Sequence, residues 1–395
     1  MRLTITRPIE IPDPVKLERL RRAPEFGPRV LFFSGGSALK DTCRELVAFT
    51  RNSIHIITPF DSGGSSAILR QAFAMPAVGD IRNRLMALAD QSLKGNPEIY
   101  DLFAHRLDKE ASQDELGREL KSLAQGHHRL IRRVPDPMRK ILRNHCSAFL
   151  DLMPAGFNLR GASVGNLVLT AGYLDSRRQF DSVIYLFSKL VEVQGVVRPV
   201  VNKNLHLAAQ LKGGEVVIGQ HLLTGKESPA LTKRIEKLWL THNLTDPTPA
   251  TIAVRAKIAQ RIEEAELICY PIGSFFSSLI ANLLPSGVGR AVAANPCPKV
   301  YVPNSGGDPE LVGYSLTDQV RILTGYLTAD HERIQPAQVL GFVLVDSKNA
   351  VYPGGLDPGA LRKLGVTVID CPLVAKQSAP RLDAGLLARA LASLA

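Results

Sequence analysis

The sequence predicts an α/β fold built on a parallel sheet, with an inserted helical module and a small β-hairpin. Three observations predict it. "RVLFF" (29–33) and "SIHIITP" (53–59) are short β-rich runs, and each passes through a glycine-rich turn into a helical pattern. The same strand–turn–helix order returns late in the chain, in "ELICYPIGSFFSSLIANLL" (266–284) and after "KVYVPN" (299–304). Between the two sets lies a stretch with helical spacing and no β-rich run. Strands that alternate with helices pair in parallel, because a parallel neighbour is reached through a crossover helix.

The elements follow in order. Residues 1–28 are proline-punctuated and basic, and read as an N-terminal extension to a domain over 29–395. "SGGSALKDTCRELVAF" runs from a glycine turn into an amphipathic helix, and "MPAVGDIRNRLMALAD" (75–90) opens another. Residues 96–155 read as the helical insertion; "PEIYDLFAHRLDKEASQDELGRELKSLAQ" has helical apolar spacing. From Lys121 to Arg143 there are seven Lys/Arg and one Asp. Helices are expected over 161–174 and 179–193, and a β-hairpin over 198–223 turning at Gly213-Gly214. "VLGFVLVDS" (339–347) and "GVTVIDCPL" (365–373) are further strands, and "AGLLARALASL" is a closing helix.

Composition narrows the function. The chain has 395 residues, 45% of them hydrophobic, enough for a large core, and a formal charge of +11. That balance favours anionic partners such as phosphates and nucleotides, beside the plainer reading of scattered surface arginine. Five cysteines stand singly with no CxxC pair, which points to reduced thiols in a cytoplasmic protein. The N-terminus has no apolar signal core, and no apolar run approaches the roughly 18 residues needed to span a bilayer, so no membrane partner is expected. The spacing of His127-His128 and His145-Cys146 matches no standard zinc finger. The basic stretch around Arg132 and Arg133 has no interleaved aromatics, so it reads as a solvated helix face and nucleic acid is not expected.

In a parallel α/β sheet, ligands bind beyond the carboxyl ends of the strands. The turns that gather there are Ser34-Gly35-Gly36-Ser37, Asp61-Ser62-Gly63-Gly64-Ser65-Ser66, Gly273-Ser274 and Asn304-Ser305-Gly306-Gly307. Glycines let the backbone approach a ligand, and the amides of the following helix then face it. Alone, each turn is ordinary turn chemistry; together they are a candidate diphosphate cradle. Asp61 is read either as a helix N-cap or as a Mg²⁺ ligand beside a reacting hydroxyl. Gly79, Asp80, Arg82 and Asn83 open the next helix, with Arg82 a phosphate partner or a surface charge. Gly165 and Asn166 lead another helix, with Asn166 a buried amide or a base or sugar contact.

Five stretches, "DSGGSSAILR", "VGDIRNRLMALAD", "GASVGNLVLTA", "YPIGSFFSSLIANLL" and "KVYVPN…GDPELVGYSLTDQV", occur in the order of the CofD-like superfamily. The chain resembles that family from about 29 to about 375. The family contains the 2-phospho-L-lactate transferase CofD and the YvcK (gluconeogenesis factor) group, and the motifs lie closer to the latter. The resemblance implies a Rossmann-like core. It implies two alternative functions: transfer of a phosphate-containing group from a nucleoside diphosphate-linked donor with Mg²⁺, or binding of a UDP-sugar by a regulatory protein without turnover. The basic insertion would then be a surface for a protein partner, and a homo-oligomer is expected. Ser62 stands where the family carries a second Asp, Ala162 replaces a family histidine, and Tyr270-Pro271-Ile272 replaces a Gly-Pro-Gly turn. The insertion and the N-terminal extension point to a divergent subgroup, and the chain resembles the CofD-like proteins of the GAK gene system.

Overall fold

The computed structural model describes residues 8–90, 92, 95–225 and 228–395; the first seven residues of the N-terminal extension lie outside it. Its strands are β1 (Val30–Ser34), β2 (Ile54–Ile57), β3 (Val196–Pro199), β4 (His206–Leu211), β5 (Val216–Ile218), β6 (Ile235–Thr241), β7 (Leu267–Tyr270), β8 (Lys299–Tyr301), β9 (Phe342–Val345) and β10 (Thr367–Asp370). Seven form one sheet in the order β10-β9-β8-β7-β1-β2-β3, with every neighbouring pair parallel. Register at the centre places Leu31 opposite Ile54 and Val30 opposite Leu267. β2 and β3 extend the sheet from one side of β1, and β7 to β10 extend it from the other. Strand order therefore reverses between β1 and β7, and a crevice opens at their carboxyl ends.

The sheet is covered on both faces, which is why β1 reads as an unbroken apolar run. Val30 and Phe32 point into one core, Leu31 and Phe33 into the other. The N-terminal helices are α1 (Pro14–Arg22), α2 (Lys40–Leu46), α3 (Gly64–Phe73), α4 (Gly79–Ala87), α5 (Pro97–Ala104), α6 (Gln113–Gln125), α7 (Arg129–Arg133), α8 (Met138–Leu152), α9 (Val164–Asp175), α10 (Phe180–Leu190) and α11 (Gln220–Leu223). The expected insertion is α5 to α8, with no strand named in it. Its apolar stripe, including Ile99, Leu102, Leu120, Leu142 and Phe149, joins the same core as Val30 and Phe32. Phe103 at the end of α5 stacks on Phe187 of α10, with centroids 4.5 Å apart and planes 11° off parallel.

Two elements differ from the sequence reading. The hairpin expected over 198–223 is β4–β5, and its turn does fall at Gly213 and Gly214, both at positive φ. Arg198 and Pro199, however, belong to β3, the edge strand of the main sheet. Proline at its end disguises this strand, and an edge is where a sheet tolerates proline. β6 also escapes sequence reading; it pairs with β4 across an irregularity at Gln210/Leu211, which breaks the alternation that would reveal it.

Because the helical region and the sheet share one core, unfolding is expected to be a single transition. Phe103→Ala should lower stability by about 3–5 kcal/mol without splitting it, as measured by urea denaturation followed at two wavelengths.

Candidate functional site

A cleft of about 550 Å³ opens at the carboxyl ends of β1, β2 and β7, a size suited to a small-molecule ligand. Its floor is the turn after β1. A Cβ on Gly36 would lie 2.1 Å from Asp80 Oδ1, and one on Gly35 would lie 2.5 Å from Ser278 Oγ. Both glycines are thus required by close approach of the protein's own side chains. Arg84, one helical turn beyond Asp80, donates to Gly35 O at 2.9 Å, to Ser34 Oγ at 3.3 Å and to Cys43 Sγ. Asp80 and Arg84 are i and i+4 on α4, so one helix face holds the turn.

The wall comes from the loop after β2. Asp61 Oδ1 accepts the Gly63 amide at 3.1 Å, while Oδ2 lies toward Gly79, where a Cβ would be 3.5 Å away. Arg70 locks this loop to the antiparallel sheet: its guanidinium donates to Phe60 O and Asp61 O at 3.0 Å and to Leu205 O at 2.6 Å. Burial lowers the Arg70 pKa to about 10, against the pull of Asp61. α3, α4 and α9 all begin at the cleft, and none has a side-chain cap. Away from it, α1 is capped by Asp13 and α6 by a Ser112–Glu115 capping box. The cleft therefore collects three helix N-termini, with the Asp61 and Asp80 carboxylates beside the starts of α3 and α4.

Most residues singled out in the sequence come together here. Gly35, Gly36, Ser37, Asp61, Gly63, Gly64, Ser65, Asp80, Arg82, Asn83, Asn166, Gly273 and Ser274 all line the cleft. Ser62, Gly165 and Asn304 do not. Gly165 is packed inside α9, where a Cβ would lie 2.8 Å from Phe103 O and 2.9 Å from Arg82 Cδ. Asn304 braces the turn after β7 by exchanging bonds with Gly273, from Nδ2 to its O and from its N to Oδ1. Arg82 is largely committed to structure: it donates to Phe103 O, Ser163 Oγ and Asn83 Oδ1. Burial, with nearby Arg106, lowers its pKa to about 10, against the opposing pull of Tyr100 and Asp80. Asn166 donates to Ser65 Oγ at 3.2 Å and leaves Oδ1 buried with no protein donor.

Ser62 takes a different part. Its Oγ lies 2.8 Å from His221 Nδ1 and accepts the His221 amide at 3.2 Å. The serine hydroxyl thus bonds both the backbone and the ring of His221 and fixes the imidazole's orientation. His221 belongs to α11, beside the small antiparallel sheet, and lines the cleft with Gln220 and Thr224. Arg106 and Lys109 line it from the opposite side. Sequence reasoning missed all five, because α11 and the 105–109 segment reach the cleft only through the tertiary fold. The "HRLDK" run carried no local signal beyond its charge.

Comparison with known proteins shows the family. Residues 30–374 match the family described as 2-phospho-L-lactate transferase CofD. The chain belongs to the CofD family. Among its relatives, the CofD-family chain is 30% identical over 301 residues to the gluconeogenesis factor of Bacillus subtilis (strain 168), covering 76% of this chain and 75% of that protein. It is 26% identical over 355 residues to the gluconeogenesis factor of Halalkalibacterium halodurans, covering 88% and 90%. The fold matches the crystal structure of a UPF0052 family member from Bacillus halodurans with a TM-score of 0.68 at 24% identity, covering 92% of this chain and 98% of that one.

One end of this CofD-family cleft is closed to an incoming anion. The helix over 275–283, after β7, opens with a wide π-type turn, and its first amides already have acceptors. Asp308 Oδ2 accepts Phe275 N at 2.7 Å, and Glu310 Oε2 accepts Phe276 N and Ser277 N at 2.8 Å each. Ser277 Oγ also bonds to Glu310 Oε1. Burial pushes Glu310 up to about 8, and the charge of Asp308 adds to the rise; the hydrogen bonds oppose both.

The folded state therefore holds a proton that unfolded Glu310 releases in the ordinary carboxylate range. The stability this proton supports is whole below that range and drains as pH rises from about 4.5 towards 8. Glu310→Gln should flatten this part of a Tm-against-pH profile; a wild-type profile that rises steadily from pH 5 to 8 contradicts the assignment.

Proposed function

We propose that the cleft holds the phosphates of a nucleoside diphosphate or a nucleotide-sugar. The observation that carries this reading is the convergence of the α3, α4 and α9 N-termini on one cleft, flanked by Arg106 and Lys109. Such first turns offer oriented amides and a positive dipole end to an anion. The buried Asn166 Oδ1 without a donor suits a ligand hydroxyl or amino group, as a sugar or base would supply. The His221 imidazole adds a polar ring from the antiparallel side.

Asp61 and Asp80 are hard oxygen donors on the same cleft, and they fit a Mg²⁺ that also meets ligand phosphates. Bound there, the ion would neutralise charge on the diphosphate. The chain's own residues then bind and orient: the α3 and α4 amides the phosphates, Asn166 and His221 the remainder. In the transferase reading, a phosphate-containing group passes from a nucleoside diphosphate-linked donor to an acceptor hydroxyl, with catalysis mainly by positioning and electrostatics. The second reading, a regulatory nucleotide-sugar-binding protein, is favoured by the relatives named gluconeogenesis factor. A single turnover measurement separates them: release of the nucleoside monophosphate, left when the other phosphate passes to the acceptor, that depends on acceptor and is abolished in Asp61→Asn belongs to the first reading alone.

The basic face of the helical region remains a candidate partner surface. Its Arg129, Arg132, Arg133 and Lys140 are exposed, but Leu123, Ile131, Val134 and Leu142 between them are core residues. Charge reversal on the exposed positions is therefore the usable probe, since removing 121–143 would open the core. No described helix is long and apolar enough to cross a membrane.

Binding is tested by thermal shift with UDP, GDP, UDP-sugars and dinucleotides, with and without Mg²⁺. A true ligand at 100 times its Kd adds about 2.7 kcal/mol of stability; no shift with any of them would overturn the proposal. Ser62→Ala should leave the fold intact and weaken the best ligand about 5-fold, roughly 1 kcal/mol, because His221 loses its anchor. Calorimetric titration of both proteins measures that difference.

A further inference from the structure

Outside the cleft, the fold assembles a second constellation that no single stretch of sequence contains. His105 caps the end of α5, Glu119 lies on α6, and His128 is the N-cap of α7. His105 Nε2 is 2.7 Å from Glu119 Oε1, and His128 Nε2 is 3.6 Å from the same oxygen. The imidazole centroids are 5.7 Å apart, and one ligand atom from each residue falls within 4.8 Å of the others. Nitrogen and oxygen ligands at tetrahedral zinc are about 3.3 Å from one another, given metal–ligand bonds near 2.0–2.2 Å. The observed pairs bracket that separation.

The other histidines of the region are placed elsewhere. His145 is turned toward Ile141 O at 2.9 Å, its neighbour Cys146 is buried, and His127 is exposed. Only His128 of the candidates flagged by the sequence joins the cluster, and its partners lie 9 and 23 residues upstream. Burial holds His128 below the usual imidazole range; His105 and Arg129 also lower it, while Glu119 opposes them. Neutral imidazole is the ligating form. His128 Nδ1 accepts the Leu130 amide at 3.3 Å, a long contact that would be given up when Nε2 takes a metal. Beside the cluster a groove lined by Asp101, His105, Arg129 and Arg133 leaves room for a water ligand.

We propose that His105, Glu119 and His128 form a Zn²⁺ site, with water in the fourth position. Two imidazoles and one carboxylate suit zinc and disfavour Mg²⁺, so the site is chemically distinct from the all-oxygen pair in the cleft. Its position gives it structural reach. His105 O accepts the Val164 amide at 3.0 Å, and Leu107 N donates to Ala162 O at 2.9 Å. The same backbone segment carries Arg106 and Lys109 into the cleft. An ion here would tie α5, α6 and α7 together where those two cations enter.

The test uses the full chain, stripped by chelator and titrated with Zn²⁺ and, separately, with Co²⁺. One equivalent of Zn²⁺ should bind with micromolar or tighter Kd and raise Tm. Co²⁺ should give the intense visible bands of a tetrahedral nitrogen–oxygen site without the near-ultraviolet thiolate band that cysteine ligands would add. His128→Asn keeps a good N-cap for α7 while removing the ligand, and Glu119→Gln keeps the shape of the carboxylate. Each should weaken Zn²⁺ by at least the roughly 100-fold typical of disturbing the groups around a bound zinc, with circular dichroism unchanged. The proposal is overturned if the chain binds no Zn²⁺ at micromolar concentrations, if both variants bind it as wild type does, or if Co²⁺ shows thiolate ligation.

Discussion

A guanidinium with no exposed surface, that of Arg84, sets the geometry of the cleft. Burying such a group is costly unless its N–H groups find acceptors. Here the acceptors are Gly35 O, Ser34 Oγ and Cys43 Sγ, so the charge can stay buried only while the turn after β1 keeps its shape. That turn in turn leaves space for the Asp80 carboxylate only because Gly36 lacks a Cβ. β1, the central strand, its turn and α4 are thus one unit. Arg70 does the corresponding work for the loop after β2, tying Phe60 O and Asp61 O to Leu205 next to the antiparallel sheet. Two buried arginines, neither of which lines the cleft, hold the two loops that make most of it.

The sheet was legible in the sequence because its central strands are buried on both faces. Runs such as "VLFF" and "IHII" have no other plausible place, and the turns after them announce the switch point. Legibility ended at the edges. β3 ends in proline and β6 breaks its alternation, so both required tertiary context. The cleft followed the same division. Residues in the strand-end turns were found because topology alone gathers them. Arg106, Lys109 and His221 were not, because their elements are brought in by packing across a hundred residues or more of chain, or across the helical region.

Residue type misled in an instructive way. Glycine, serine and asparagine in a turn suggest a ligand, but the same atoms serve the protein. Gly35 and Gly36 accommodate Ser278 and Asp80, Gly165 accommodates α9 packing, Ser62 anchors an imidazole, and Asn304 braces the turn after β7. What marks the cleft as a candidate binding surface is the meeting of the α3, α4 and α9 N-termini and the unmatched acceptor of Asn166. None of these can be read from letters, since each depends on which hydrogen bonds the rest of the fold has already made.

The carboxylates of Asp308 and Glu310 give the crevice a direction. At the strand-order reversal, β1 and β7 present comparable strand–turn–helix ends, and a bare copy of each would offer an anion two similar cradles. With an internal anion seated at the β7 end, the crevice becomes a polarised slot. A ligand of the kind proposed, charged at one terminus, would in a reversed pose meet first amides already bonded to Asp308 and Glu310. The orientation of such a ligand would then be sorted before any side chain reads its identity.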